Sequence, residues 1–167
     1  MDLASLCWHP CREVLLLRQA SVSDLISGRV SRENGYIVIS MRRYPRFVNR
    51  LLRDEYVIDM SPQQELFEDW LRIKRKTEDH DAAFRLSHYE ARFQLNENGL
   101  VQLLRLALLS RRKDVYLICQ CHVGQRCHRE MLLLLAKKWI GVSVEGPFNR
   151  YPIFERRLAR PTMKLAA

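Results

Sequence analysis

Short, strongly apolar runs alternate along this chain with longer amphipathic stretches, and their spacing sets the expected architecture. Tyr36-Ile37-Val38-Ile39-Ser40-Met41 and Val115-Tyr116-Leu117-Ile118-Cys119 are rich in β-branched residues and apolar at successive positions, as strands covered on both faces are. Tyr56-Val57-Ile58 and Val142-Ser143-Val144 are shorter strand candidates. The run from Glu13 to Gln19 is too short for periodicity to separate strand from buried helix. Helices are expected from Ser21 to Ile26, with Gly28 just beyond, and from Ser61-Pro62, where Ser61 is a candidate N-cap and Gln64 completes a capping box. That second helix carries Leu66, Phe67, Trp70, Leu71 and Lys74 on one face. Further helical patterns begin at Asp81, run from Leu100 to Ser110, and run from Cys127 to Trp139, where Gly141 is the stop.

Strands and helices in this alternation imply a mainly parallel sheet with helices on its faces. The expected fold class is α/β: a single three-layer domain, Rossmann-like or rhodanese-like, over residues 1–148, with residues 1–20 poorly assigned. A basic segment, 149–167, follows; it sets Arg150, Arg156, Arg157, Arg160 and Lys164 against Glu155 and would serve as a docked helix or as an arm for an anionic partner.

Composition narrows the function classes. Apolar residues form 47% of 167 positions, enough for a real core, and no low-complexity run is present. The longest strictly apolar run, Met131 to Ala136, is far short of a membrane span, and Met1-Asp2-Leu3-Ala4 lacks the basic start of an export signal. A soluble, cytoplasmic protein without a membrane partner is expected. Lys and Arg number 28 against 19 Asp and Glu, a formal charge of +9 that favours polyanionic partners, nucleic acid among them. No glycine-rich dinucleotide fingerprint or Walker loop occurs.

Of the five cysteines, Cys119, Cys121 and Cys127 are concentrated beside His122 and His128, between a buried strand and a helix start. Ligands of open α/β sheets bind beyond the carboxyl ends of the strands, and a helix N-terminus stabilises an anion or a thiolate. One reading makes Cys121, Cys127 or Cys119 a nucleophile or redox group, with His128 or His122 as proton carrier. A second makes Cys119, Cys121, Cys127 and His128 zinc ligands. The donor types suit zinc. The spacing is read as unsuited to a closed site, with Cys119 and Cys121 set apart at the strand end and adjacent Cys127 and His128 diverging by about 100° on a helix, so no metal or other cofactor is expected. A third reading leaves Cys119 as core packing and His128 and Arg129 as helix-end residues. Cys7, His9 and Cys11 form a smaller cluster near the chain start.

Cys121-His122-Val123-Gly124-Gln125-Arg126 is similar to the active loop of rhodanese-type sulfurtransferases, which implies a loop that cradles sulfur and an arginine that binds the anion. From Tyr36 to Trp139 the chain resembles the domain-of-unknown-function family 488. The resemblance rests on Met41-Arg42-Arg43-Tyr44-Pro45-Arg46-Phe47, the helix opening Ser61-Pro62, the Phe84/Tyr89 segment, and Leu117-Ile118-Cys119 with Cys127-His128-Arg129. It implies a compact α/β domain with Arg42, Pro45, Cys119, Cys127, His128 and Arg129 as the shared frame, and an acidic residue in many members where this chain has Cys121.

Both marked segments follow a core strand. If those strands are parallel neighbours, Arg42, Arg43 and Arg46 reach the same sheet edge as Cys121, Arg126 and His128, and Arg126 and Arg129 add to one cationic pocket. The expected function is an enzyme acting on an anionic substrate that is phosphorylated, sulfur-containing or derived from nucleic acid. Its thiol would act in transfer or hydrolysis, with Arg42, Arg43, Arg46, Arg126 and Arg129 as anion clamps. The alternative is a non-catalytic nucleic-acid-binding or accessory protein whose arginines bind phosphate.

Overall fold

The computed structural model describes residues 15–159 and contains four strands, all parallel: β1 (Leu17–Ser21), β2 (Tyr36–Ile39), β3 (Glu55–Tyr56) and β4 (Val115–Cys119). Their order is β1-β4-β2-β3, so the last strand in sequence is inserted between the first two. Leu17 lies opposite Val115 on one side of β4, and Tyr36 lies opposite Val115 on the other. The chain segments leaving β2 and β4 therefore emerge side by side at the carboxyl edge of the sheet.

Side chains alternate across this sheet with period two, and each face has its own apolar cluster. Leu17, Val38, Val115 and Leu117 join a large cluster covered by α2 (Gln64–Thr77), α3 (His80–Leu86), α4 (Tyr89–Arg92), α5 (Glu97–Leu109), α6 (His128–Leu135) and α7 (Pro152–Ala159). Ala20, Ile37, Ile39 and Ile118 face the other way, toward Val22 and Leu25 of α1 (Val22–Ile26) and Val48. The result is a single three-layer α/β domain, as its alternating pattern implies. Cys119 continues the Val115–Leu117 face and so is turned toward the helical layer that includes α6.

Several boundaries differ from the sequence pattern for local reasons. Ser21 is both the last residue of β1 and the N-cap of α1, with Asp24 returning a capping-box bond. The capping box expected at Ser61 does not form. Ser61 Oγ donates to the Ile58 carbonyl, 2.5 Å away, across a 3₁₀ turn at 58–60, and α2 starts three residues later. Asp79, not Asp81, caps α3, and His88 in the left-handed region separates α3 from α4. The helix expected to continue to Trp139 widens into a π-turn at 136–140 before Gly141. Val142–Val144 makes only an isolated bridge, Leu17 to Val144. The basic segment enters the fold as α7, which buries Phe154 and Leu158, with Tyr151 fully buried just before it. Residues 160–167 and the Cys7, His9, Cys11 cluster lie outside the described residues. Among the described residues, no helix is long and apolar enough to cross a membrane.

One close approach fixes the start of β2. A Cβ on Gly35 would meet the Asp114 carbonyl oxygen at 2.6 Å and the Tyr116 ring at 2.9 Å, where β2 meets the start of β4. Gly35→Ala is expected to destabilise the fold by about 1–3 kcal/mol, as overpacking typically does. Urea unfolding would read this as a lowered midpoint at unchanged slope.

Candidate active site

The edge created by β2 and β4 opens into a cavity of about 490 Å³. Its walls come from the segment after β2 (Met41, Arg42, Arg43), from α2 (Phe67, Trp70, Leu71, Lys74), from His80, Phe84 and Tyr89, and from the loop running from Cys119 to His128. Among the described residues Arg42, Arg43, Lys74 and Arg126 line it and no carboxylate does, so its charged lining is positive.

The three sulfurs converge at one end. Cys119 Sγ and Cys121 Sγ lie 3.9 Å apart, and all three thiols, with that of Cys127, fall within 4.8 Å of one another. This corrects the expected divergence of Cys119 and Cys121: residues two apart share a face at strand spacing, and the turn after Cys119 keeps Cys121 beside it. The divergence expected of Cys127 and His128 fails too: Cys127 is the extended N-cap of α6, and Nδ1 of His128 sits 3.5 Å from its sulfur. Three thiols in this arrangement supply part of a donor set for a soft ion such as zinc, with Nδ1 of His128 as the neighbouring nitrogen.

The loop is held mostly through its carbonyls. Arg129 donates to the carbonyls of Cys121 (2.9 Å) and His122 (3.3 Å), and to that of Ala20 at the end of β1. Asn149 Nδ2 donates to the Gly124 carbonyl, and His80 Nε2 meets the Arg126 carbonyl at 2.8 Å. Gly124 itself takes the left-handed conformation (φ +92°) that this tight loop requires. Behind it lies Glu130, fully buried, which accepts from Gln19, the Phe148 N–H, Asn149 and the Tyr151 hydroxyl. The Tyr151 hydroxyl in turn accepts from the Cys127 N–H at 3.0 Å.

The charges at the sulfur end are unusual. Arg129 is fully buried, and among the described residues no carboxylate oxygen lies within 4.0 Å of its guanidinium. Nε2 of His128 is 2.6 Å from the Ser40 carbonyl, which can only accept, so that nitrogen carries a proton. Burial would raise the Cys127 thiol, but bonds from Cys119 and Cys121 and the charges of His128 and Arg129 overcome it and hold the thiol well below its usual range. Burial would likewise lower His128, yet Cys127 and Cys119 push it up to about 10. Hydrogen bonds to Cys119 and Cys127, with burial, push the Cys121 thiol well up. These directions favour the ionised form of Cys127 beside a protonated His128.

The expected site residues do not all meet here. Cys119, Cys121, Cys127, His128, Arg42, Arg43 and Arg126 line one cavity, as does His122. Arg42 is fixed by two bonds to the Pro62 carbonyl, at 2.8 and 2.6 Å, and Arg126 Nη1 donates to the Arg150 carbonyl at 2.9 Å. Arg46 is exposed and away from the cavity, because the turn at Pro45 carries it past the sheet edge. Arg129, expected as an anion clamp, is buried beneath the loop with its guanidinium spent on carbonyls. The sequence reading missed the α2 wall. Phe67, Trp70, Leu71 and Lys74 are legible as a helix face, but no local signal says that this face borders a cavity rather than the core.

A family model described as DUF488-N3a, the active DUF488-N3 subclade, matches residues 21–139. No curated protein and no solved structure matches the chain.

The Tyr151 hydroxyl joins Cys127 to Glu130, so its removal leaves a buried N–H without its acceptor. Tyr151→Phe is expected to cost about 1–3 kcal/mol in urea unfolding. In the folded protein it should also speed hydrogen exchange at the Cys127 amide.

Proposed function

We propose that this chain, which belongs to the DUF488 family in its active N3 subclade, is a thiol-dependent transferase or hydrolase acting on an anionic substrate. The observation that carries the reading is the pair of buried cations, Arg129 and His128, packed around three sulfurs with no carboxylate among the described residues that line the cavity. Burying an unpaired guanidinium costs several kcal/mol. Asp24 feels this charge only from beyond contact distance, so a thiolate is the counter-charge in contact, and a thiolate is also the reactive form of cysteine.

In this mechanism Arg42, Arg43, Lys74 and Arg126 draw the anionic group in and hold it. The Cys127 sulfur gives its electron pair to the electrophilic atom of that group and forms a covalent bond to it. The bond from that atom to the leaving group breaks, its electron pair goes with the leaving group, and the leaving group takes the proton from His128 Nδ1. Water, or another acceptor hydroxyl, then gives a proton to the neutral imidazole while its oxygen displaces the sulfur. Thiolate and imidazolium are restored. Reduced thiols of this kind fit a cytoplasmic setting.

The pH window follows from the two directions. The reactive ion pair is lost on the acid side as the thiolate takes a proton, below the ordinary thiol range because Cys127 is depressed. It is lost on the alkaline side as His128 gives up its proton near pH 10. Iodoacetamide labelling, with each cysteine located by peptide mass spectrometry, should therefore show Cys127 reacting steadily at pH 6.5, where an unperturbed thiol is only about 1% thiolate. His128→Asn should shift the Cys127 labelling midpoint upward. A Cys127 midpoint near 8.5 in the unaltered protein would instead support a binding module in which the cysteines only shape the loop.

A further inference from the structure

The α2 wall does more than close the cavity. Phe67 and Trp70, one turn apart, form a two-ring shelf with centroids 6.3 Å apart and planes 29° from parallel. Both are half-buried, and both line the cavity. Cations lie over each ring, with the Arg43 guanidinium 5.4 Å from the Phe67 centroid and Lys74 Nζ 4.9 Å from the Trp70 centroid. His80 meets the Trp70 ring edge-on at 5.4 Å. A bare inorganic anion has no use for this shelf or for about 490 Å³ of space, a volume typical of sites for whole organic ligands.

We propose that the ligand of this cavity is a nucleoside phosphate, with its base against the Phe67–Trp70 shelf and its phosphate among the arginines near the sulfurs. The proposal rests on the thiol-enzyme reading for the reaction, and it narrows that reading to a substrate class. Three features of the cavity point the same way. Stacking on aromatic side chains suits any base, because every base has a π-face. The Arg43 and Lys74 cations over the outer ring faces also suit a phosphate. Gln120 and the amide nitrogen of Gln125, whose oxygen accepts from the His122 N–H, offer polar groups for the edge of a base. A phenyl phosphate such as phosphotyrosine could stack but would leave those amides without a partner. A phosphosugar would leave the shelf unused.

The test uses the full chain carrying Cys127→Ser, which cannot turn substrate over, titrated calorimetrically. The probes are AMP, GMP, CMP, UMP, ribose 5-phosphate, phosphotyrosine and a 5′-phosphorylated dinucleotide. At least one mononucleotide is expected to bind ten-fold or more tighter than ribose 5-phosphate and tighter than phosphotyrosine. The dinucleotide separates a free nucleotide from the end of a nucleic-acid strand, since the strand source predicts that it binds more tightly than the matching mononucleotide. Trp70→Leu should weaken the mononucleotide roughly 5- to 150-fold, the loss expected of one base stack, and leave ribose 5-phosphate unchanged. Lys74→Ala, at the cavity rim, should weaken both phosphates while the fold persists, which covers the case in which the tryptophan variant fails to fold. Equal binding of ribose 5-phosphate and every nucleotide, or tighter binding of phosphotyrosine, would overturn the proposal. Cys127 labelling is measured without ligand, so either reading can fail while the other stands.

Discussion

A buried guanidinium with no carboxylate beside it is the constraint around which this site is built. Arg129 is wholly enclosed, its nitrogens face main-chain carbonyls, and its Nε has no partner among the described residues. Carbonyl dipoles soften the desolvation of a cation but do not cancel its charge. Beside it His128 is held as a second cation by the Ser40 carbonyl and the Cys127 sulfur. Glu130, the adjacent buried acid, is committed to Gln19, Phe148, Asn149 and Tyr151 on another side. Asp24 feels the Arg129 charge only from beyond contact distance, and the Cys127 thiol beside both cations is held well below its usual range.

That packing depends on strand order. Because β4 lies between β1 and β2, the loop after it can be gripped from both neighbours. Arg129 ties it to Ala20 at the end of β1, while His128 ties it to Ser40 at the end of β2. An edge position for β4 would leave one of these carbonyls out of reach. Period-two alternation then decides which β4 side chain faces α6, and Cys119 is on that face. The C-terminal helix completes the support, since Tyr151, at its entrance, holds the Cys127 amide.

Most of this framework could be read from the chain. The covered apolar runs of β2 and β4 marked a parallel sheet, and the convergence of Arg42 and Arg43 with Cys121, Arg126 and His128 followed from placing those strands together. The misses have separate causes. Period two puts residues two apart on one strand face, so Cys119 and Cys121 have no geometric reason to diverge, whereas Cys127 lies before the helix whose spacing is applied to it and His128. Arg129 is expected as an anion clamp, yet it is fully buried, which arginine almost never is unless paired. Its partners, the Ala20 and Cys121 carbonyls, are invisible to any sequence pattern. The α2 wall escaped for the opposite reason. An amphipathic helix shows which residues avoid water but not whether they meet core or cavity.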